Sequence, residues 1–129
     1  MLKLFFYLVN LIFIFFYLFP GSILGKIFYG DFSKQPHLTN DFRFSVLDIS
    51  SNHFYAYFLI SFLGFFIYFK NFSKQIILYL FLNSLILEFL HIVIPNRFFQ
   101  FADLNGNVLG VVVSLILFQI YFYAKKNFN

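Results

Sequence analysis

Residues 88–110 read EFLHIVIPNRFFQFADLNGNVLG. This stretch gathers Glu88, His91, Arg97, Asp103 and Asn107 between two runs of hydrocarbon-like sequence, residues 76–87 (IILYLFLNSLIL) and residues 111–118 (VVVSLILF). A carboxylate inside such an apolar helix is costly unless something pairs with it, and an ionisable group at membrane depth marks a candidate functional site. The rest of the chain reads as the wall that holds this cluster.

Working outward, the 129 residues are 61% hydrophobic and only 11% charged, where a soluble domain carries about 25% charged residues. The chain therefore reads as a membrane protein of one compact unit. Its 25 Phe residues are too many for one small core, so part of that Phe must face lipid or neighbouring helices. No cysteine is present, which excludes disulfides, thiolate nucleophiles, Fe–S clusters and Cys-zinc sites. The net charge of +4 would suggest nucleic acid in a soluble protein. Here the Lys and Arg residues flank apolar segments, where they set topology instead, and no nucleic-acid partner is expected.

Hydropathy and breakers divide the chain into four predicted helices, at about residues 2–19, 52–69, 75–94 and 102–124, with an outer loop at about 21–51. Pro20-Gly21 stops the first and Pro95 the third, because proline cannot continue a helix without losing a backbone bond. About 20 apolar residues span a bilayer core, so the fold class expected is all-α, an integral membrane four-helix bundle. A signal peptide is the competing reading of the first segment. With four spans, Lys3, Lys70, Lys74, Lys125 and Lys126 share one side with no acidic residue, while Lys26, Lys34, Arg43 and Arg97 on the other are diluted by Asp31, Asp41, Asp48 and Asp103. The expected location is the inner (plasma) membrane, multi-pass, with both termini cytoplasmic and the polar cluster outside. The lipid bilayer is the expected partner; the oligomeric state is open.

Residues three, four, seven, eight and eleven apart share one helix face. Three polar stripes result: His53, Tyr57, Ser61 and Gly64; Ser84, Glu88 and His91; Asp103, Asn107, Gly110 and Ser114. Unsatisfied polar groups in hydrocarbon cost several kcal/mol, so the stripes should turn inward. Their most polar members lie at one end, which predicts one pocket holding His53, Glu88, His91, Arg97, Asp103 and Asn107. Plainer roles exist for each. Gly106, Gly110 and Ser114 suit close helix packing, Asp103 suits a helix cap, and Glu88 needs a cation, for which Arg97 beyond the Pro95-Asn96 corner is the nearest.

These residues resemble the pattern of the VanZ-like membrane protein family: His53-Phe54 with Tyr57, Glu88-x-x-His91, Pro95-Asn96-Arg97, and Asp103-x-x-x-Asn107-x-x-Gly110. The ordered set covers about residues 46–118. His91 stands where the family pattern has Gln, and Asp48 is one residue out of register with an upstream Asp-Lys pair. The resemblance implies a small multi-pass membrane protein and names no reaction. Joined to the stripes, it gives the expected function: a polar outer-leaflet pocket that binds or processes a cell-envelope component, such as a lipid-linked phosphate or sugar. Glu88, His53, Arg97 and Asp103 would carry the chemistry, and Tyr57, His91 and Asn107 would contact the ligand. The alternative is a non-enzymatic membrane scaffold or accessory subunit whose polar cluster only fixes helix packing. A metal site using the Glu88-x-x-His91 spacing with His53 and Asp103 is the third reading. Glutamine is a poor ligand at the family's position 91, so no metal and no cofactor are expected.

Overall fold

The computed structural model describes residues 1–45 and 47–128. Among the described residues the regular structure is helical but for two short strands. Helix α1 is Leu2–Leu18 and α2 is Ile23–Tyr29. Strands β1 (Phe42–Arg43) and β2 (Asp48–Ile49) pair antiparallel. Helical structure then runs from Ser51 to Leu90, and a last helix covers Phe101–Phe128.

The 40-residue helical stretch is not a rod. Tyr57 Oη donates to the carbonyl of Asn83 at 3.1 Å, although a straight helix would hold them about 39 Å apart at 1.5 Å per residue. A Cβ on Gly64 would lie 3.3 Å from Ile76 Cδ1 and 3.4 Å from Leu80 Cδ1. The stretch is a hairpin of two arms, α3 (Ser51–Asn71) and α4 (Ser73–Leu90), and the last helix is α5. The corner falls in the polar run Lys70, Asn71, Ser73 and Lys74. These residues cannot stay in hydrocarbon, and Asn and Ser are weak helix formers.

Helices α3, α4 and α5 are long and apolar enough to cross a membrane, and the bent pair α1 and α2 makes a fourth span if counted as one. Large apolar side chains are exposed around every long helix, among them Leu8, Leu11 and Phe15 of α1, Leu59 and Phe66 of α3, Leu78 and Ile86 of α4, and Ile120 of α5. The core is an inner seam of Phe6, Tyr57, Phe65, Leu80, Val111 and Phe118. Helices α3 and α5 run side by side in the same direction. A Cβ on Gly106 would sit 2.5 Å from the Ser50 carbonyl, and one on Gly110 would sit 2.6 Å from the Phe54 carbonyl. The two glycines thus let the α3 and α5 backbones meet, as small residues do where helices pack closely.

One end of the bundle is basic. The Lys3 ammonium stands over the Tyr68 ring, 5.8 Å from its centroid. Phe69 stacks on Phe122 at 5.2 Å, which brings the C-terminal turns of α5, with Lys125 and Lys126, to the hairpin corner. The residues of the polar stretch from Glu88 onward lie at the opposite end.

Several boundaries differ from those expected. The second helix starts at Ser51 and runs to Asn71 rather than covering 52–69. The third, expected to reach 94, ends at Leu90, and residues 91–96 form turns that carry the chain round Pro95, with Asn96 at φ 60. The last runs on past 124 to Phe128. The segment expected as a loop at 21–51 contains α2, capped at its start by Ser22 Oγ accepting from the Gly25 N–H and ended by Gly30 at φ 71. The same loop covers the N-terminus of α3: Asp41 Oδ1 accepts from the Ser51 N–H at 2.9 Å, and Asn52 Oδ1 accepts from the Leu38 N–H at 3.1 Å. A carboxylate is favoured there by the orphan amides and the helix dipole.

Candidate functional site

The three polar stripes turn inward. Tyr57, Ser61, Ser84, Glu88, His91, Asn107 and Ser114 are all buried. The deepest piece of the site is centred on Glu88, whose side chain has 0% exposure. Tyr17 donates its hydroxyl to Glu88 Oε2 at 2.6 Å, and the Gln100 N–H donates to Glu88 Oε1 at 3.0 Å. Asn107 Nδ2 donates to Tyr17 Oη at 2.6 Å and to the Ser84 carbonyl at 3.2 Å. His91 stacks on Tyr17 with centroids 4.8 Å apart and donates from Nε2 to the Tyr17 carbonyl at 3.0 Å. Its Nδ1 stands 3.5 Å from Glu88 Oε2, at the outer limit of a useful polar contact. Three helices, α1, α4 and α5, and the turn leading into α5 thus meet around one carboxylate.

Beside this network stands a second pair. His53 Nδ1 lies 3.0 Å from Asp103 Oδ1, with both side chains slightly exposed at 13% and 14%, and 2.9 Å from Ser50 Oγ. The pair forms because Ser50, just before α3, hydrogen-bonds through its N–H to the Ala102 carbonyl at 2.9 Å. That bond locks the start of α3 to the first turn of α5. His53, Glu88 and Asp103 each present a ligand-type atom, and all three atoms lie within 4.8 Å of one another. Two ionised carboxylates at that separation repel by about 3–4 kcal/mol at an effective dielectric near 20.

Arg97 makes no ion pair with either carboxylate. Its Nε donates to the Phe19 carbonyl at 3.0 Å and its Nη2 reaches the Phe16 carbonyl at 3.5 Å, so it caps the open carbonyls at the end of α1. The expected Glu88–Arg97 ion pair is absent: among the described residues no Lys or Arg lies within 4.0 Å of either carboxylate. A surface concavity of about 510 Å³ is lined by residues 91–99, His91 and Arg97 among them. It joins the cluster through His91 and opens widely, so the predicted single pocket is instead a packed cluster with a shallow concavity against it.

Of the predicted site residues, Glu88, His91 and Asn107 share the inner network, His53 and Asp103 form the neighbouring pair, and Arg97 lies at the rim. Tyr57 is fully buried and faces the hairpin, donating to Asn83, with its ring 5.9 Å from that of Tyr17. Sequence reasoning missed Tyr17. Its signal was there: Phe6, Asn10 and Tyr17 fall four and seven residues apart, on one helix face, and those three are the buried residues of α1. Comparison with protein-family models, curated proteins and solved structures finds no match for the chain.

Proposed function

We propose that this chain is a VanZ-like four-span protein of the plasma membrane that binds or processes an anionic cell-envelope component, such as a lipid-linked phosphate, at the outer end of its bundle. The observation that carries the reading is the meeting of His53, Glu88 and Asp103, from three different helices, within 4.8 Å at the end of the bundle away from the lysines. Ionisable groups are rarely gathered at the end of an apolar bundle without a task. The positive-inside tendency then puts Lys3, Lys70, Lys74 and both termini in the cytoplasm, and the cluster at the outer leaflet.

In this reading Asp103 orients the His53 ring, the part a carboxylate plays beside a catalytic histidine. The slight exposure of both side chains leaves His53 within reach of a ligand. The concavity beside Arg97 and His91 would seat the ligand's anionic group. Glu88, with no exposure and both oxygens hydrogen-bonded, holds the helices in register. That last point also supports the second reading, a scaffold or accessory subunit whose polar network fixes packing alone.

The two readings separate in cells lacking the native gene. His53→Ala and Asp103→Asn should reach normal membrane abundance yet fail to restore the deletion phenotype, while Glu88→Ala should lower abundance. Full rescue by His53→Ala would end the site reading; loss of abundance in all three would favour the scaffold.

A further inference from the structure

We infer that His53, Glu88 and Asp103 form a binding site for a first-row divalent cation, with Zn²⁺ as the representative ion. The inference deepens the proposed function and rests on the same pocket. The first observation is the donor set itself: one imidazole nitrogen and two carboxylate oxygens, one each from α3, α4 and α5, within 4.8 Å of one another. A tetrahedral Zn²⁺ ion with bonds of about 2.0–2.2 Å holds its ligand atoms roughly 3.3–3.6 Å apart. His53 Nδ1 and Asp103 Oδ1, at 3.0 Å, are within a few tenths of an ångström of that spacing, and a Glu88 oxygen lies within 4.8 Å of both.

The second observation is a buried acceptor with nothing to accept. Asn107 stands one turn after Asp103 on the same face of α5 and has 0% exposure. Its Nδ2 belongs to the Tyr17–Glu88 network, but its Oδ1 is without a hydrogen-bond partner among the described residues. A buried carbonyl oxygen left unpaired costs free energy, and a carbonyl oxygen is a donor a cation accepts as a further ligand. The third observation is charge. Two carboxylates converge where the nearest guanidinium, Arg97, is committed to the carbonyls of Phe16 and Phe19. Their paired negative charge is what a divalent cation between them would balance.

The surroundings match what orients metal ligands. Tyr17 Oη and the Gln100 N–H position the Glu88 carboxylate. Such outer partners set ligand direction at metal sites. The sequence-based pairing of Glu88 with His91 as ligands is not what the fold offers. His91 Nε2 is used on the Tyr17 carbonyl, so His91 is a buttress of the site.

The test is a Zn²⁺ titration of the detergent-purified full chain against a chromophoric chelator, with metal analysis of the dialysed complex and thermal unfolding with and without Zn²⁺. The expected result is one saturable Zn²⁺ per chain and a rise in unfolding temperature with Zn²⁺. His53→Ala and Asp103→Asn should weaken binding at least about tenfold and lose the temperature rise, whereas His91→Gln should keep both. No saturable site in the native chain, undiminished binding in His53→Ala and Asp103→Asn, or equal loss in His91→Gln would overturn the assignment. Should Zn²⁺ fail to bind while His53→Ala still fails to rescue the deletion, the cation falls and the proposed pocket stands.

Discussion

Replacing Tyr17 with Phe removes one oxygen atom and tests whether Glu88 is held as described. The hydroxyl donates to Glu88 Oε2 and accepts from Asn107 Nδ2, both at 2.6 Å. The ring would stay, stacked on His91 at 4.8 Å and edge-on to Tyr57 and His53, so little packing is lost. Asn107 Nδ2 keeps the Ser84 carbonyl, whereas Glu88 Oε2 is left with only the 3.5 Å approach of His91. A hydrogen bond to a charged group contributes about 1.5–3 kcal/mol, and loss of the donor to a fully buried carboxylate belongs at the upper end, roughly 2–3 kcal/mol. Equilibrium unfolding in mixed detergent micelles would measure it, with the exposed Tyr121→Phe as control, expected within about 0.5 kcal/mol of the native chain. In a double-mutant cycle Tyr17→Phe and Glu88→Gln should couple by more than about 1 kcal/mol. If Tyr17→Phe is no worse than Tyr121→Phe, or if the cycle is additive, the Glu88-centred network is not what ties α1 to the bundle.

Three further outcomes follow from named contacts. Gly110→Leu places a side chain where a Cβ already meets the Phe54 carbonyl at 2.6 Å and the Phe58 nitrogen at 2.7 Å. Both are backbone, so α3 and α5 must separate; a loss of at least about 1–3 kcal/mol should appear in unfolding, and a native-like stability would contradict the described helix contact. Arg97→Gln should loosen the end of α1, seen as faster hydrogen exchange at residues 16–22 with α3 and α5 unchanged; unaltered exchange there would show that the carbonyl contacts matter little. In the exposed loop, the Ser33 N–H and then its hydroxyl, at 2.9 and 2.8 Å from Asp31 Oδ1, hold the Asp31 carboxyl below its usual range. Its small contribution is present at neutral pH and lost as the pH falls through that lowered value. Ser33→Ala should move the Asp31 titration in a carboxylate NMR experiment upward, toward about 3.9, and an unmoved titration would refute the loop geometry.

The long helices were legible because hydrophobic runs and breakers give a strong signal. Pro95 and the Lys70–Lys74 run mark the ends where the chain turns, and the stripes at 53, 84 and 103 point inward for the reason that drives them out of hydrocarbon. Less was legible where the deciding interaction is local or three-dimensional. Helix α2 has only seven residues, too few for a periodic pattern, and rests on the Ser22 cap and the left-handed Gly30. Arg97 was expected at Glu88 because opposite charges attract, but the orphan carbonyls at the end of α1 compete for the same guanidinium. Tyr17 was passed over because a tyrosine near a span end suits the membrane interface equally well; only the facing helices reveal that it points at Glu88.

The central claim is that three distant parts of the sequence bring His53, Glu88 and Asp103 together at the end of the bundle away from the lysines. The chain has no cysteine, so paired substitutions report on it without background. His53→Cys with Asp103→Cys, and His53→Cys with Glu88→Cys, would be treated with a short bifunctional thiol reagent, and Lys3→Cys with Asp103→Cys would serve as the opposite-end control. The account predicts intramolecular cross-linking in both site pairs and none in the control. Site pairs that cross-link no faster than the control would contradict it.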